Sequence, residues 1–291
     1  MEILRTVTEL RRWSREHRAH GALVGLVPTM GALHAGHASL IRAAASACRH
    51  VAVSIFVNPT QFGPTEDYTR YPRAFEADCA LAEREGAEVV FVPAVEELYP
   101  AGASQEIATF VEVEGLSNRL DGASRPGHFR GVSTVVAKLF IAAEPDLAFF
   151  GQKDAAQVSV LRRMTADLRL ATEIVVCPTV RDTDGLALSS RNAYMSPVER
   201  AQSLALSRAV FRVEALAAKG ERRADALIAA AREVFSAAAS AFPAAPPIRI
   251  DYIALVDWST LEPVETAAPG TLFAVAAYVG PTRLIDNAIL D

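Results

Sequence analysis

The stretch ALVGLVPTMGALHAGHASLIRAA, residues 22–44, decides the fold. Residues 22–27 form a short continuous apolar run, which reads as a buried strand. Residues 37–48 read as a helix. Between them Pro28 and Gly31 are expected to break the strand, and Gly36 permits a tight backbone approach. His34 and His37 stand at this strand-to-helix turn, where a helix N-terminus offers unpaired N–H groups and a partial positive charge. Three readings are open: a metal pair, a phosphate grip, or packing. A metal would need a third ligand, and the pair lacks the glutamate and spacing of HExxH. Imidazoles at such a turn suit phosphate oxygens.

The same grammar repeats outward. Thr6 and Glu9 have the spacing of a capping box, and Val7, Leu10 and Trp13 share one helix face. Strands are expected at 51–57, 88–93, 146–151 and 172–180, with an exposed alternating strand at 105–114. Helices are expected at 74–85, 130–143 and from Asp154 onward. Residues 58–73 are long, polar and aperiodic, as functional loops are. Strands alternating with helices imply an α/β fold: a Rossmann-like, doubly wound parallel sheet whose ligands bind at the carboxyl ends of the strands. Beyond about residue 182 the texture changes. Two alanine-rich helices (197–218 and 221–239) precede FPAAPP and two expected strands, which predicts a smaller α+β domain. The expected division is 1–181 and 182–291.

Composition narrows the partners. The chain has 291 residues, 51% hydrophobic and 22% charged, with a net charge of −5. That suits a sizeable core and gives no support to nucleic-acid binding. No apolar stretch is long enough to span a bilayer and the N-terminus does not read as a signal peptide, so the expected location is cytoplasmic. Three scattered cysteines predict buried, reduced thiols.

Further stretches carry polar chemistry. In FFGQKDAAQ (149–157), Lys153 suits phosphate, and Asp154 suits a ribose hydroxyl or a helix cap. RDTDGLALSSRN (181–192) offers two serine hydroxyls and Arg191 after a glycine-bearing turn. DGASRPGHFRGVST (121–134) groups Arg125, His128 and Arg130, which could grip a carboxylate, cover a cleft, or form a solvated basic loop. Asn58, Gln61 and Gln157 are neutral amides suited to a polar substrate.

In this order, PTMGALHAGHASLI, SIFVNPTQF, YPR, RPGHFRGVSTVVAKLF, FGQKDAAQ, LALSSRNAYMSP and PTRLIDN resemble the pantoate–β-alanine ligase family of the HxGH nucleotidyltransferase superfamily. The likeness covers essentially the whole chain. It implies an ATP-dependent condensation of pantoate with β-alanine to pantothenate, AMP and diphosphate, through a pantoyl adenylate. It implies that Met30, Gly31, Ala32, Leu33, His34, Ala35, Gly36 and His37 line the ATP site, with His37 in the family's proton-donor position. Gly151, Gln152, Lys153, Asp154, Val180, Leu188, Ser189, Ser190 and Arg191 would complete that site. Gln61 and Gln157 would bind pantoate. Mg2+ would bridge ATP phosphates near Asp78, and the chain would form a homodimer. Ala77 and Ala156 depart from the family's pattern of paired acids and paired glutamines.

Overall fold

The computed structural model describes residues 1–64, 66–102, 109–242 and 245–291. In chain order the first part comprises β1 (Glu2–Leu4), α1 (Val7–Ala19), β2 (Val24–Thr29), α2 (Ala35–Ala47), β3 (His50–Ile55), α3 (Phe75–Arg84), β4 (Val89–Phe91), α4 (Val95–Leu98), α5 (Asp121–Ser124), α6 (His128–Ala143), β5 (Leu147–Gly151), α7 (Ala155–Asp167) and β6 (Glu173–Cys177). The six strands form one parallel sheet in the order β1-β4-β3-β2-β5-β6. The order reverses between β2 and β5, the switch point at which such sheets bind ligands.

Burial explains why β2 reads as an unbroken apolar run. Val27 packs with Leu40, Ile41 and Ala44 of α2, Ala82 of α3, Val53, Val90 and Phe149. Its neighbours Val24 and Leu26 alternate to the other face and are equally buried. The expected capping box of α1 is present, with Thr6 accepting from Glu9 and Glu9 accepting from Thr6.

Several expectations need correction. Pro28 does not end β2 but pairs in register with Ser54. The ladder between β2 and β5 covers only Gly25 and Leu26, so a missing N–H at Pro28 interrupts nothing on that flank. Helix α2 begins at Ala35, two residues ahead of His37, with His34 as its cap. The 58–73 segment is not wholly aperiodic, for it contains 3-10 turns at Pro59–Gln61 and Tyr68–Arg70. Of the expected strand at 105–114, residues 105–108 lie outside the described residues and 109–114 are not in a strand.

The remaining elements are α8 (Pro197–Ala217), α9 (Ala224–Ala241), β7 (Arg249–Asp257), β8 (Thr271–Val279) and β9 (Thr282–Ile289). The three strands form an antiparallel sheet, β7-β8-β9, whose buried face packs with both helices through Leu206, Val210, Leu227, Phe273 and Val275. Strand β9 escapes the sequence reading; the turn at Gly280 and Pro281 is its local signal.

By its packing the chain forms two compact units. One holds residues 1–151 and 160–178, the other 152–159 and 179–291. The three cysteines are free, with Cys48 and Cys177 buried. No helix among the described residues is long and apolar enough to cross a membrane.

Candidate active site

The sequence-predicted site residues fall into two groups, one in each unit. The first group includes the histidine turn, and its backbone is occupied by the protein itself. Gly31 N–H donates to Thr29 Oγ1 at 3.1 Å. Ala32 and Leu33 donate to the two oxygens of Asp78, at 2.9 and 2.7 Å. His34 N–H donates to His37 Nδ1 at 3.3 Å, and Gly36 N–H to His34 Nδ1 at 3.1 Å. Five N–H groups of the turn are thus taken by the protein, fewer being open than the sequence suggests.

Both glycines have a spatial reason. Gly31 sits at φ +82, and a Cβ there would lie 2.9 Å from Asp78 Oδ2. A Cβ on Gly36 would lie 2.8 Å from His34 Cε1, so the glycine of HxGH makes room for the capping imidazole. The two rings stand 4.2 Å apart. Because each Nδ1 accepts an N–H, each neutral ring carries its proton on Nε2.

Asp78, the carboxylate expected near magnesium, is a strut of this turn. It is 2% exposed, and both oxygens accept turn N–H groups. Burial raises its pKa, while the Leu33 and Ala32 N–H groups pull the other way. The adjacent Ala77 is exposed, so its methyl group supplies no acid beside that strut.

In the same unit Gln61 is buried on the Pro59–Gln61 turn. Asn58 Nδ2 donates to Gln61 Oε1 and to Gly131 O, each at 3.1 Å. Asn58 Oδ1 accepts from Tyr99 Oη at 2.9 Å and Thr60 Oγ1 at 3.0 Å. The Gln61 amide is thereby oriented, its Nε2 lying 2.9 Å from Met30 Sδ. Since sulfur is a weak acceptor, that NH2 is suited to meet a carboxylate or hydroxyl. Gly131 permits this packing: a Cβ on it would lie 2.3 Å from Thr60 O. The sequence reading saw Asn58 and Gln61 but missed Gly131 and Tyr99.

The basic cluster of 121–134 grips a carboxylate belonging to the protein. Arg125 Nε and Nη2 donate to Glu66, both at 2.7 Å. Arg130 lies over the Phe110 ring at 4.4 Å. It is not a solvated basic loop.

In the second unit Gln152–Asp154 forms a 3-10 turn following Gly151. Lys153 Nζ lies 3.7 Å from Asp154 Oδ1. Asn287 of β9 secures this turn: its Nδ2 donates to Gln152 O at 2.9 Å and Lys153 O at 2.8 Å, and its Oδ1 accepts from Gln152 Nε2 at 3.3 Å. Next to it Asp286 takes both ends of the Arg181 guanidinium, at 2.6 and 2.9 Å. Arg181 and Ala187 pair across a short hairpin in which Leu188 N–H donates to Val180 O at 3.0 Å. Ser189 then caps the Ser190–Tyr194 turn by accepting from Arg191 N–H. Gln157 is half-buried on α7 and follows the buried Ala156. Asn287 and Asp286 were not singled out from the sequence, though PTRLIDN carries both.

A separate cluster of His17, His50 and Glu88 brings ligand atoms within 4.8 Å of one another. The two imidazoles are stacked at 3.6 Å and inclined by only 16°. An ion about 2 Å from a nitrogen must lie near the plane of that ring, and planes running side by side share no such point. The stack is a packing feature between α1 and β3.

Comparison with known proteins gives concordant results. The family model described as pantoate-beta-alanine ligase matches residues 2–289. A protein named pantothenate synthetase from Acidobacterium capsulatum is 60% identical over 267 residues, 92% of this chain and 86% of that one. Another from Koribacter versatilis is 52% identical over 291 residues, covering 100% and 96%. The crystal structure of pantothenate synthetase from Thermus thermophilus is 44% identical with a TM-score of 0.87, covering 99% of each chain. A pantoate-beta-alanine ligase from Francisella tularensis, complexed with beta-gamma ATP and beta-alanine, is 30% identical with a TM-score of 0.77, covering 99% and 97%.

Proposed function

The chain belongs to the pantoate–β-alanine ligase family, and on that premise we propose that it condenses pantoate with β-alanine at the expense of ATP. A free carboxylate resists amine attack until it carries a good leaving group. In the first step a pantoate carboxylate oxygen bonds to the α-phosphorus of ATP, and the bond to diphosphate breaks. In the second the β-alanine amine bonds to the acyl carbon, AMP leaves, and the amine loses a proton. Positioning and charge neutralisation carry most of the first step.

The observation that carries this reading is the proton placement on His34 and His37. Both Nδ1 atoms accept backbone N–H groups, which makes Nε2–H the donor that each ring offers to phosphate oxygens. Lys153 adds a compact positive charge, with Asp154 toward the ribose and Val180, Leu188, Ser189, Ser190 and Arg191 closing over the nucleotide. Gln61 and Gln157 hold pantoate, and the oriented Gln61 NH2 supports that role. Residues 1–181 then serve mainly as the nucleotide-binding domain, with 182–291 as the smaller α+β domain.

Magnesium enters as the counter-ion of ATP. Asp78 does not fit as its ligand, since both oxygens are committed to the turn, and ATP phosphates and water are its natural donors. We place the enzyme in the cytoplasm as a homodimer, the state the family likeness implies.

The test is AMP release coupled to pantothenate formation, with pantoate and β-alanine omitted in turn. Diphosphate release should require pantoate, and AMP release should require both. A cytidylyltransferase, the nearest alternative on an HxGH turn, would need CTP and show no dependence on amine.

A further inference from the structure

His128 opens α6, and both of its ring nitrogens are engaged. Nε2 lies 2.9 Å from Arg125 Nη1, and Nδ1 lies 2.8 Å from the Gln61 carbonyl oxygen. A guanidinium has donors only, so Nε2 must accept. The ring proton is therefore on Nδ1, where it donates to Gln61 O. Arg125 is itself held by the two oxygens of Glu66, which fixes the fork against the ring. Glu66 stays ionised: burial would raise its pKa, but Arg125 outweighs that and keeps it below its ordinary value.

Protonating His128 would place an N–H against the guanidinium. Burial first, and then the charge of Arg125, push its pKa down to about 4, while Gln61 O, Asp121 and Glu66 act the other way. The imidazole is therefore neutral near pH 7, in one tautomer.

We propose that His128 is a positioning residue for pantoate: as the Nδ1–H tautomer set by Arg125, it fixes the Gln61 peptide and so the direction of the Gln61 side chain. The proposal rests on the reading that Gln61 meets pantoate. Two residues divide the anchoring of this turn. Asn58 secures the side-chain oxygen of Gln61 and ties the start of the turn to Gly131, whereas the carbonyl at its end is held by His128. Losing that hydrogen bond frees the peptide to rotate and disperses the amide over several directions. One hydrogen bond of about 1 kcal/mol corresponds to a fivefold to tenfold change in affinity.

The test uses four variants of the full chain: His128→Phe, His128→Asn, Gln61→Ala, and His128→Phe with Gln61→Ala. His128→Phe should raise the KM for pantoate about five- to tenfold and leave that for ATP within twofold. His128→Asn places an amide N–H near the position of Nδ1 and should recover most of the loss. In the Gln61→Ala background, His128→Phe should add nothing to the pantoate KM. Thermal unfolding of each variant shows that the fold persists. Equal increases for pantoate and ATP, or a full additive effect in the double variant, would overturn the proposal. If Gln61→Ala alone leaves the pantoate KM unchanged, the assignment of Gln61 fails and takes this inference with it. A raised KM in Gln61→Ala with an unchanged one in His128→Phe sinks the inference alone.

Discussion

The histidine turn of the first unit and the Gln152–Asp154 turn of the second are held by groups of opposite polarity. Asp78 accepts from two turn N–H groups, whereas Asn287 donates to two turn carbonyls. Each clamp comes from a distant element of its own unit. In both turns several main-chain groups are already occupied. Under the proposed function each turn then meets phosphate with side chains, imidazoles in one and an ammonium group in the other, rather than with a glycine-rich nest of N–H groups.

The largest effect should come from those side chains. His37→Ala or Lys153→Ala should each lower turnover at least about 100-fold with the fold intact, the cost of losing one electrostatic stabiliser. Near-normal steady-state rates in both would mean that backbone donors carry the phosphates after all.

Acid should act next, through His128. His128 titrates near 6.5 when unfolded and at about 4 when folded. Between those values the unfolded chain binds more protons, so stability falls as pH drops from 6.5 toward 4. The loss is on the order of 3 kcal/mol. Denaturant titrations across this range should show it in the natural chain and not in His128→Phe.

The clamps themselves follow. Asp78→Asn keeps the shape but turns a donor toward a turn N–H, and should cost about 2–3 kcal/mol of unfolding free energy together with much of the turnover. Asn287→Ala should cost less, about 1–2 kcal/mol, because it leaves neutral carbonyls without a donor. A shift in thermal midpoint larger for Asn287→Ala than for Asp78→Asn would reverse the ranking of the two clamps.

The alternation of apolar runs made the parallel sheet readable, since strands buried on both faces carry an unbroken signature. The antiparallel sheet was only partly readable. Strand β9 buries Asp286 and Asn287, one on each face, and two buried polar residues hide a strand from any reading based on hydrophobicity. The residues proposed to face ligand were legible as candidates because HxGH, the lysine–aspartate pair and the serine–arginine segment are local. Their supports were not. Asp78 reaches Leu33 across 45 residues, and Asn287 reaches Lys153 across 134. No spacing rule spans such distances, and only the fold brings them into contact. Asp78 entered the sequence reading only through the family likeness, and its hold on the turn is visible only in the fold.

The two Nδ1 contacts also limit what the HxGH imidazoles can do with a proton. A neutral ring accepting at Nδ1 has a single hydrogen, on Nε2, and surrendering it would leave an imidazolate. A doubly protonated ring would turn Nδ1–H against the His34 or Gly36 N–H and loosen the start of α2. Under the proposed function, His37 held in this way would lend a hydrogen bond and keep its hydrogen, and diphosphate would depart as the anion it already is. Adenylate formation is then a step with no proton in flight, and it should run at nearly the same rate in heavy water as in light.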